Sequence, residues 1–128
     1  MRRLRRFLLF ILMLVGVPQL EEGWQSTLTA SPATPPSDAE WTGEVTPDGT
    51  RDLWLRNRLP AGDARYLVFR AYVSELELFA GDEKFYAFRD ATKQGKLTLH
   101  VATLPRGAAG KHIYVRVPHA RDRVLFGR

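Results

Sequence analysis

Two glutamates form the first pair of side chains in this sequence that could carry out chemistry. Glu75 and Glu77 alternate with Leu76 and Leu78, so a β-strand here places both carboxylates on one face, with Cα atoms about 6.5–7 Å apart. Two carboxyl groups at such a separation can serve as the acid and the base of glycoside hydrolysis. The opposing interpretation is a solvent-facing strand surface, which needs no catalytic role.

The spacing of acidic residues around these glutamates differs from that of a known catalytic strand. Jelly-roll glycoside hydrolases similar to laminarinases carry the pattern Glu-x-Asp-x-x-Glu, whereas this chain has Glu75, Glu77 and then Ala80. Because the third carboxylate is missing, we expect the protein not to be an enzyme. A secreted carbohydrate-active enzyme stays open as the alternative.

Other residue types that support catalysis or metal binding lack the necessary spacing. The histidines His100, His112 and His119 form neither a His-x-His nor a His-x-x-x-His pair, and no carboxylate cluster accompanies them. The sequence has no Gly-x-Ser-x-Gly elbow, no glycine-rich loop that opens a helix and no cysteine. We therefore expect no catalytic residue, no metal site and no cofactor.

Aromatic residues and arginines on the predicted strands indicate a binding surface. A ligand pocket combines an apolar floor with a few oriented polar groups, and a ring beside an arginine can stack on a sugar or help hold an anion. Packing of the same rings in the core stays open as the other interpretation. We expect a small-molecule or carbohydrate ligand, and the predicted ligand-binding residues are Trp54, Arg56, Arg70, Tyr72 and Tyr86.

Short strands must position these side chains. Apolar and polar residues alternate within 53–58, 66–72, 74–79, 97–102 and 111–117, which is the period of a half-buried strand. Turns such as Pro47-Asp48-Gly49 and Pro105-Arg106-Gly107 separate these stretches and leave no room for a sizeable helix. The pattern predicts an all-β domain over residues 39–128, an antiparallel sandwich or barrel with about seven or eight strands in two sheets.

The N-terminal segment has the layout of an export signal. Arginines at positions 2, 3, 5 and 6 precede an unbroken apolar run from Phe7 to Val15, as in the basic and apolar regions of a signal peptide. Whether residues 1–20 are a cleaved signal peptide or an uncleaved anchor stays open, since Pro18 disfavours cleavage. Both interpretations place the remainder outside the cytoplasm, so we expect a periplasmic or extracytoplasmic protein that is exported or anchored in the bacterial inner membrane.

Charge and composition define the rest of the domain organisation. The chain has 19 Lys and Arg residues against 14 Asp and Glu, but four arginines belong to the N-terminal segment, which leaves 15 basic residues. A body so close to neutral provides no field that attracts a polyanion, so we expect no nucleic-acid partner.

Residues 21–38 are rich in proline and serine and are predicted to be a linker.

The order of strand motifs across residues 53–126 resembles a known family. The motifs are Trp54-Leu55-Arg56, the strand pair at 67–79, Phe85-Tyr86-Ala87-Phe88-Arg89-Asp90 and the strand at 109–117. They are similar to the extracytoplasmic jelly-roll sensory domain of bacterial receptors that have seven transmembrane helices and diverse intracellular signalling modules. The related N-terminal domains of membrane diguanylate cyclases and sensor kinases are similar too.

The resemblance implies a two-sheet antiparallel β-sandwich of the jelly-roll, galactose-binding-like type and a function in signal transduction. We expect a non-catalytic sensory or ligand-binding domain of a bacterial membrane receptor, with a receptor partner or a second copy of the chain as its protein partner. Relatives continue into transmembrane helices and an output domain, so we expect that output domain to be absent from this chain. The family supplies no invariant ligand-contacting residue, and a secreted carbohydrate-binding module stays open beside the enzyme as an alternative.

Overall fold

A computed structural model describes residues 24–30, 34–37, 40–42, 45–46, 48–59, 61–62, 65–90 and 96–119. The predicted signal peptide or anchor at residues 1–20 lies outside the described residues. Within the described part, no helix has the length and apolar character needed to span a membrane. All regular structure in that part is β-strand.

Seven strands are present in the described residues, and they form two antiparallel sheets. The five-stranded sheet has the order β1-β2-β7-β4-β5, and the two-stranded sheet pairs β3 with β6. The prediction of an all-β fold with two antiparallel sheets is therefore confirmed. The strands are β1 (Gln25–Thr29), β2 (Asp52–Arg58), β3 (Tyr66–Val73), β4 (Glu75–Ala80), β5 (Glu83–Arg89), β6 (Lys96–Thr103) and β7 (His112–Val117).

The first strand corrects the predicted domain boundary. β1 lies inside residues 21–38, which the sequence analysis assigned to a linker, yet Gln25 pairs with Arg56 and Thr29 pairs with Asp52 along the whole of β1. Ser26 also exchanges backbone hydrogen bonds with Thr42, at 2.7 and 3.0 Å. The five-stranded sheet therefore begins upstream of residue 39, because pairing with β2 recruits a short polar segment whose own pattern is a weak strand signal.

The hydrophobic core forms where buried side chains of both sheets meet. In β7, Ile113, Val115 and Val117 are buried while the residues between them are only half-buried, as the two-residue period requires. Val115 pairs with Leu55 on one side and with Leu78 on the other. Buried residues of β3 complete the same cluster: Leu67, Phe69, Ala71 and Val73.

The connection between β6 and β7 consists of two consecutive tight turns. The amide of Ala108 donates to the carbonyl of Pro105 at 3.3 Å, and the amide of Lys111 donates to the carbonyl of Ala108 at 3.0 Å. The third residue of each turn is a glycine with positive φ, +78° at Gly107 and +80° at Gly110, which is the conformation that a type II turn demands. This double turn forms one wall of the cleft described below.

Candidate ligand cleft and the predicted site residues

An open cleft of about 530 Å³ lies at the end of the fold where β3 begins and β6 ends. Its size falls within the range of about 300–1,000 Å³ that is typical of small-molecule sites. Leu59, Leu104 and Ala108 line it with apolar side chains that are themselves almost fully buried. Tyr66, which also lines the cleft, has 58% of its surface exposed. The cleft therefore combines a fixed apolar floor with an accessible aromatic ring.

Backbone hydrogen bonds hold the walls of the cleft together. The amide of Leu104 donates to the carbonyl of Arg65 at 2.8 Å, which extends the β3–β6 pairing by one step. The amide of Leu59 donates to the carbonyl of Lys111, and the amide of Gly110 donates to the carbonyl of Leu59, both at 2.8 Å. The double turn is thereby tied to the end of β2, so the cleft is largely preformed.

The charge of the cleft comes from Arg65 and Arg106, both of which are exposed. Among the described residues that line the cleft, none is acidic, and neither arginine forms an ion pair with a described carboxylate. Five arginines elsewhere whose side chains are described have partners: Arg51 bonds to Asp48, Arg56 to Gln25, Arg58 to the carbonyl of Gly110, Arg89 to Glu75 and Arg116 to Asp52.

The predicted binding residue Trp54 lies in a closed aromatic cluster on the outer face of the five-stranded sheet. Its side chain is 0% exposed, and its ring centroid lies 5.3 Å from that of Phe79 and 6.4 Å from that of Tyr114. Trp41 packs over this face, with its ring centroid 5.8 Å from that of Tyr114. Because Trp54 is fully buried against Phe79 and Tyr114, its ring contributes packing at this position and has no surface on which a ligand could stack.

Arg56 belongs to the same cluster and is held in place by two contacts. Its guanidinium carbon lies 4.3 Å from the ring centroid of Trp41, a cation–π geometry. Its Nε donates to Oε1 of Gln25 at 2.8 Å. The aromatic-plus-arginine combination that the sequence indicated is therefore present, but the ring that Arg56 meets is Trp41, a residue outside the predicted set.

Tyr86 lies on the opposite face of the five-stranded sheet from Trp54. Its ring packs against the core, and its hydroxyl is 2.6 Å from Nδ1 of His100, a buried residue of β6. Burial raises the pKa of Tyr86 above its ordinary value. The predicted residues are thus not gathered in one place: Trp54 and Arg56 share one face, and Tyr86 lies on the other. Arg70 and Tyr72 have their backbones in β3, while their side chains lie outside the described residues.

Glu77 takes part in an ion-pair network on the outer face of the sheet. Arg116 donates to Oε1 of Glu77 at 2.6 Å and to Oδ2 of Asp52 at 2.8 and 2.9 Å, and Lys84 donates to Oε2 of Glu77 at 3.1 Å. Burial acts to raise the pKa of Glu77, but the hydrogen bonds from Arg116 and Lys84 outweigh it, so that the pKa is lowered. Glu75 pairs separately with Arg89 at 3.5 Å.

The three histidines are dispersed over the fold. His100 is buried in the core, His112 is half-buried beside Tyr114 on the outer face, and His119 is exposed beyond the end of β7. Within the described residues, no three side chains of the metal-binding types form a cluster.

No family model, no curated protein and no solved structure matches this chain.

The residues that line the cleft were not among the predicted ligand-binding residues. The sequence contains one signal for the cleft, which is the predicted turn Pro105-Arg106-Gly107. A turn presents its side chains at the surface, and Arg106 lines the cleft. The proximity of Arg65 to this turn depends on the register of β3 with β6, which the local sequence does not specify.

Proposed function

We propose that this chain is a non-catalytic ligand-binding domain, a jelly-roll β-sandwich that serves as the sensory part of a bacterial membrane receptor outside the cytoplasm. Its ligand occupies the cleft between the start of β3 and the β6–β7 double turn. The observation that carries this proposal is the cleft itself, in which an exposed aromatic ring and two arginines without described partners surround an apolar floor.

The contrast between the cleft and the rest of the molecule supports this choice. On the outer face of the five-stranded sheet, Glu77 and Arg116 bond to each other, and Arg56 is held by Trp41 and Gln25. Those groups are already satisfied by intramolecular partners, so a ligand would have to break contacts to use them. The two arginines of the cleft, in contrast, form no ion pair with a described carboxylate.

A ligand screen with a blocked cleft tests the proposal. The full-length protein is screened by thermal unfolding against small sugars and organic acids. A ligand at ten times its Kd stabilises the folded state by about 1.4 kcal/mol, which raises the Tm of a domain of this size by about 6–11 °C. Thr103→Trp places a bulky ring in the cleft, because Thr103 is an exposed lining residue on β6.

A matched control uses the neighbouring residue on the same face. Val101 is 56% exposed, lies two positions before Thr103 in β6 and does not line the cleft, so Val101→Trp adds the same ring elsewhere. We expect at least one compound to raise the Tm of the wild type and of Val101→Trp but not of Thr103→Trp. A screen without any stabilising compound, or a stabilisation that persists in Thr103→Trp, contradicts the proposal.

The extracytoplasmic location is tested separately with reporter fusions to the C-terminus of the full chain. Alkaline phosphatase folds only where disulfides form, and it should be active in this fusion because the basic N-terminal arginines stay in the cytoplasm. A fluorescent reporter that matures only in the cytosol should be dark in the matched fusion. The reverse pattern would place the domain in the cytoplasm and remove the sensory interpretation.

A further inference from the structure

We infer that the ligand of this cleft carries an anionic group, a carboxylate or a phosphate, which Arg65 and Arg106 bind together. This inference rests on the proposed function and specifies its ligand class. The uncharged part of the ligand, a sugar ring or another flat apolar group, lies against Tyr66. The chemical basis is that Arg65 and Arg106 are the charged residues among the described residues that line the cleft, and both are cations.

The pairing of β3 with β6 brings the two arginines to one place. Tyr66 pairs with Thr103, and the amide of Leu104 donates to the carbonyl of Arg65, so Arg65 is the partner of Leu104. Arg106 follows Leu104 by two residues and is the second residue of the first turn of the double turn. Residues 41 positions apart in the chain are thus at the same end of the two-stranded sheet, and both line the cleft.

Two guanidinium groups that line one cleft both attract an anion bound there. Each guanidinium presents a planar set of N–H donors that matches the two oxygens of a carboxylate or phosphate. The floor formed by Leu59, Leu104 and Ala108 is apolar and buried, so it displaces water from one side of the bound group. Hydrogen bonds to the anion are therefore stronger here than on a flat surface.

The ring of Tyr66 provides the second half of the recognition. It follows Arg65 directly in sequence and is 58% exposed at the cleft. A large aromatic ring left accessible beside a cationic group is a suitable platform for the apolar face of a sugar. An acidic sugar satisfies both elements at once, since its carboxylate or phosphate meets the arginines while its ring stacks on Tyr66.

Calorimetric titration of the full-length protein with matched probes tests the inference. The probes are glucuronate, glucose 6-phosphate and inorganic phosphate, each compared with glucose. We expect at least one anionic probe to bind at least tenfold more tightly than glucose. Comparison of glucuronate with glucose 6-phosphate distinguishes a carboxylate site from a phosphate site, and inorganic phosphate shows how much affinity the sugar ring contributes.

Substitutions at the two arginines locate the effect. Arg65→Gln and Arg106→Gln should each weaken the anionic probe about tenfold or more, because each removes a charge-assisted hydrogen bond, while Arg65→Lys and Arg106→Lys should recover part of the affinity. Arg89→Gln is the control, since Arg89 is exposed and pairs with Glu75 on a different face. Unchanged Tm values show that these variants are folded.

The possible results separate this inference from the proposed function. If glucose binds as tightly as the anionic probes and the arginine variants leave that binding unchanged, the anion inference fails while the ligand-binding function stands. If neither the anionic probes nor glucose bind the wild-type protein, the inference is refuted for these ligand chemistries. A ligand found only by the wider screen and insensitive to both arginines likewise refutes it, and a screen without any ligand refutes the proposed function as well.

Discussion

His100 occupies an uncharged site in the core, and its protonation should make stability depend on pH. The ring is 1% exposed and stacks on Phe69 at 4.9 Å, while Phe88 approaches edge-on at 4.8 Å. Tyr86 places its hydroxyl 2.6 Å from Nδ1, and the buried Nε2 has no hydrogen-bond partner. Burial lowers the pKa of His100 to about 4, because none of these neighbours can compensate a positive charge.

The direction and size of the effect follow from the two pKa values. In the unfolded chain a histidine titrates at about 6.5, so acid protonates the unfolded state first and favours it. The contribution to stability is complete above pH 6.5 and is lost as the pH falls from 6.5 to about 4. Between pH 7.5 and pH 5 the loss is about 2 kcal/mol, and below pH 4 it approaches about 3 kcal/mol.

Urea unfolding of the full-length protein at pH 7.5, 6 and 5 measures this loss. His100→Phe keeps a ring between the two sheets but cannot be protonated, so its stability should change much less over the same range, although it starts lower because Tyr86 loses its hydrogen-bond partner. His112→Gln is measured alongside, since burial and the charges of Arg56 and Arg58 lower the pKa of His112 and add a loss of the same sign. His119→Gln, at an exposed position, is the control.

Two results would refute this reasoning about His100. The first is a wild-type free energy of unfolding that stays constant from pH 7.5 to pH 5. The second is a His100→Phe variant that loses as much stability as the wild type over that range, because the titrating group would then lie elsewhere. Carboxylates are a separate source of acid sensitivity. Because the pKa of Glu77 is lowered in the folded state, the stability that Glu77 contributes is lost only as the pH falls through and below the usual carboxyl range.

Two further predictions concern the outer face of the five-stranded sheet. Glu77→Gln should lower the free energy of unfolding by about 2 kcal/mol, because it removes one of the two carboxylates that neutralise the half-buried Arg116, and the same carboxylate pairs with Lys84. Glu75→Gln, which breaks an exposed pair, should change it by less than about 1 kcal/mol, and equal losses in urea unfolding would contradict the difference. Trp54→Ala should cost about 3–5 kcal/mol because Trp54 is fully buried against Phe79. A loss below about 1 kcal/mol would show that the aromatic cluster is not well packed.

Several features of the fold could be predicted from alternation alone. In β7 the buried residues Ile113, Val115 and Val117 are those that the sequence placed on one face, and Glu75 and Glu77 are on one face of β4 as expected. A two-residue period is a local property of the chain, so it can be recognised without knowing which strand lies alongside. The turn at Pro105-Arg106-Gly107 is local for the same reason.

The register between strands accounts for what the sequence did not predict. Tyr86 faces His100 in the core because it pairs with Leu78, next to a register shift in the β4–β5 hairpin. Trp54 is fully buried against Phe79 of β4 and Tyr114 of β7, which follow it by 25 and 60 positions in the chain. Neither contact follows from the residues near Tyr86 or Trp54 in the chain.

The order of residues therefore specifies the strands that alternate clearly, which of their faces is apolar and where the chain turns, whereas β1 depends on its pairing with β2. The pairing of distant segments specifies whether a given aromatic ring is covered and which charges meet. Arg65 and Arg106 illustrate the difference, because each is an ordinary exposed arginine in sequence and both line one cleft when β3 pairs with β6. Burial and charge proximity depend on contacts across space, and local periodicity contains no information about them.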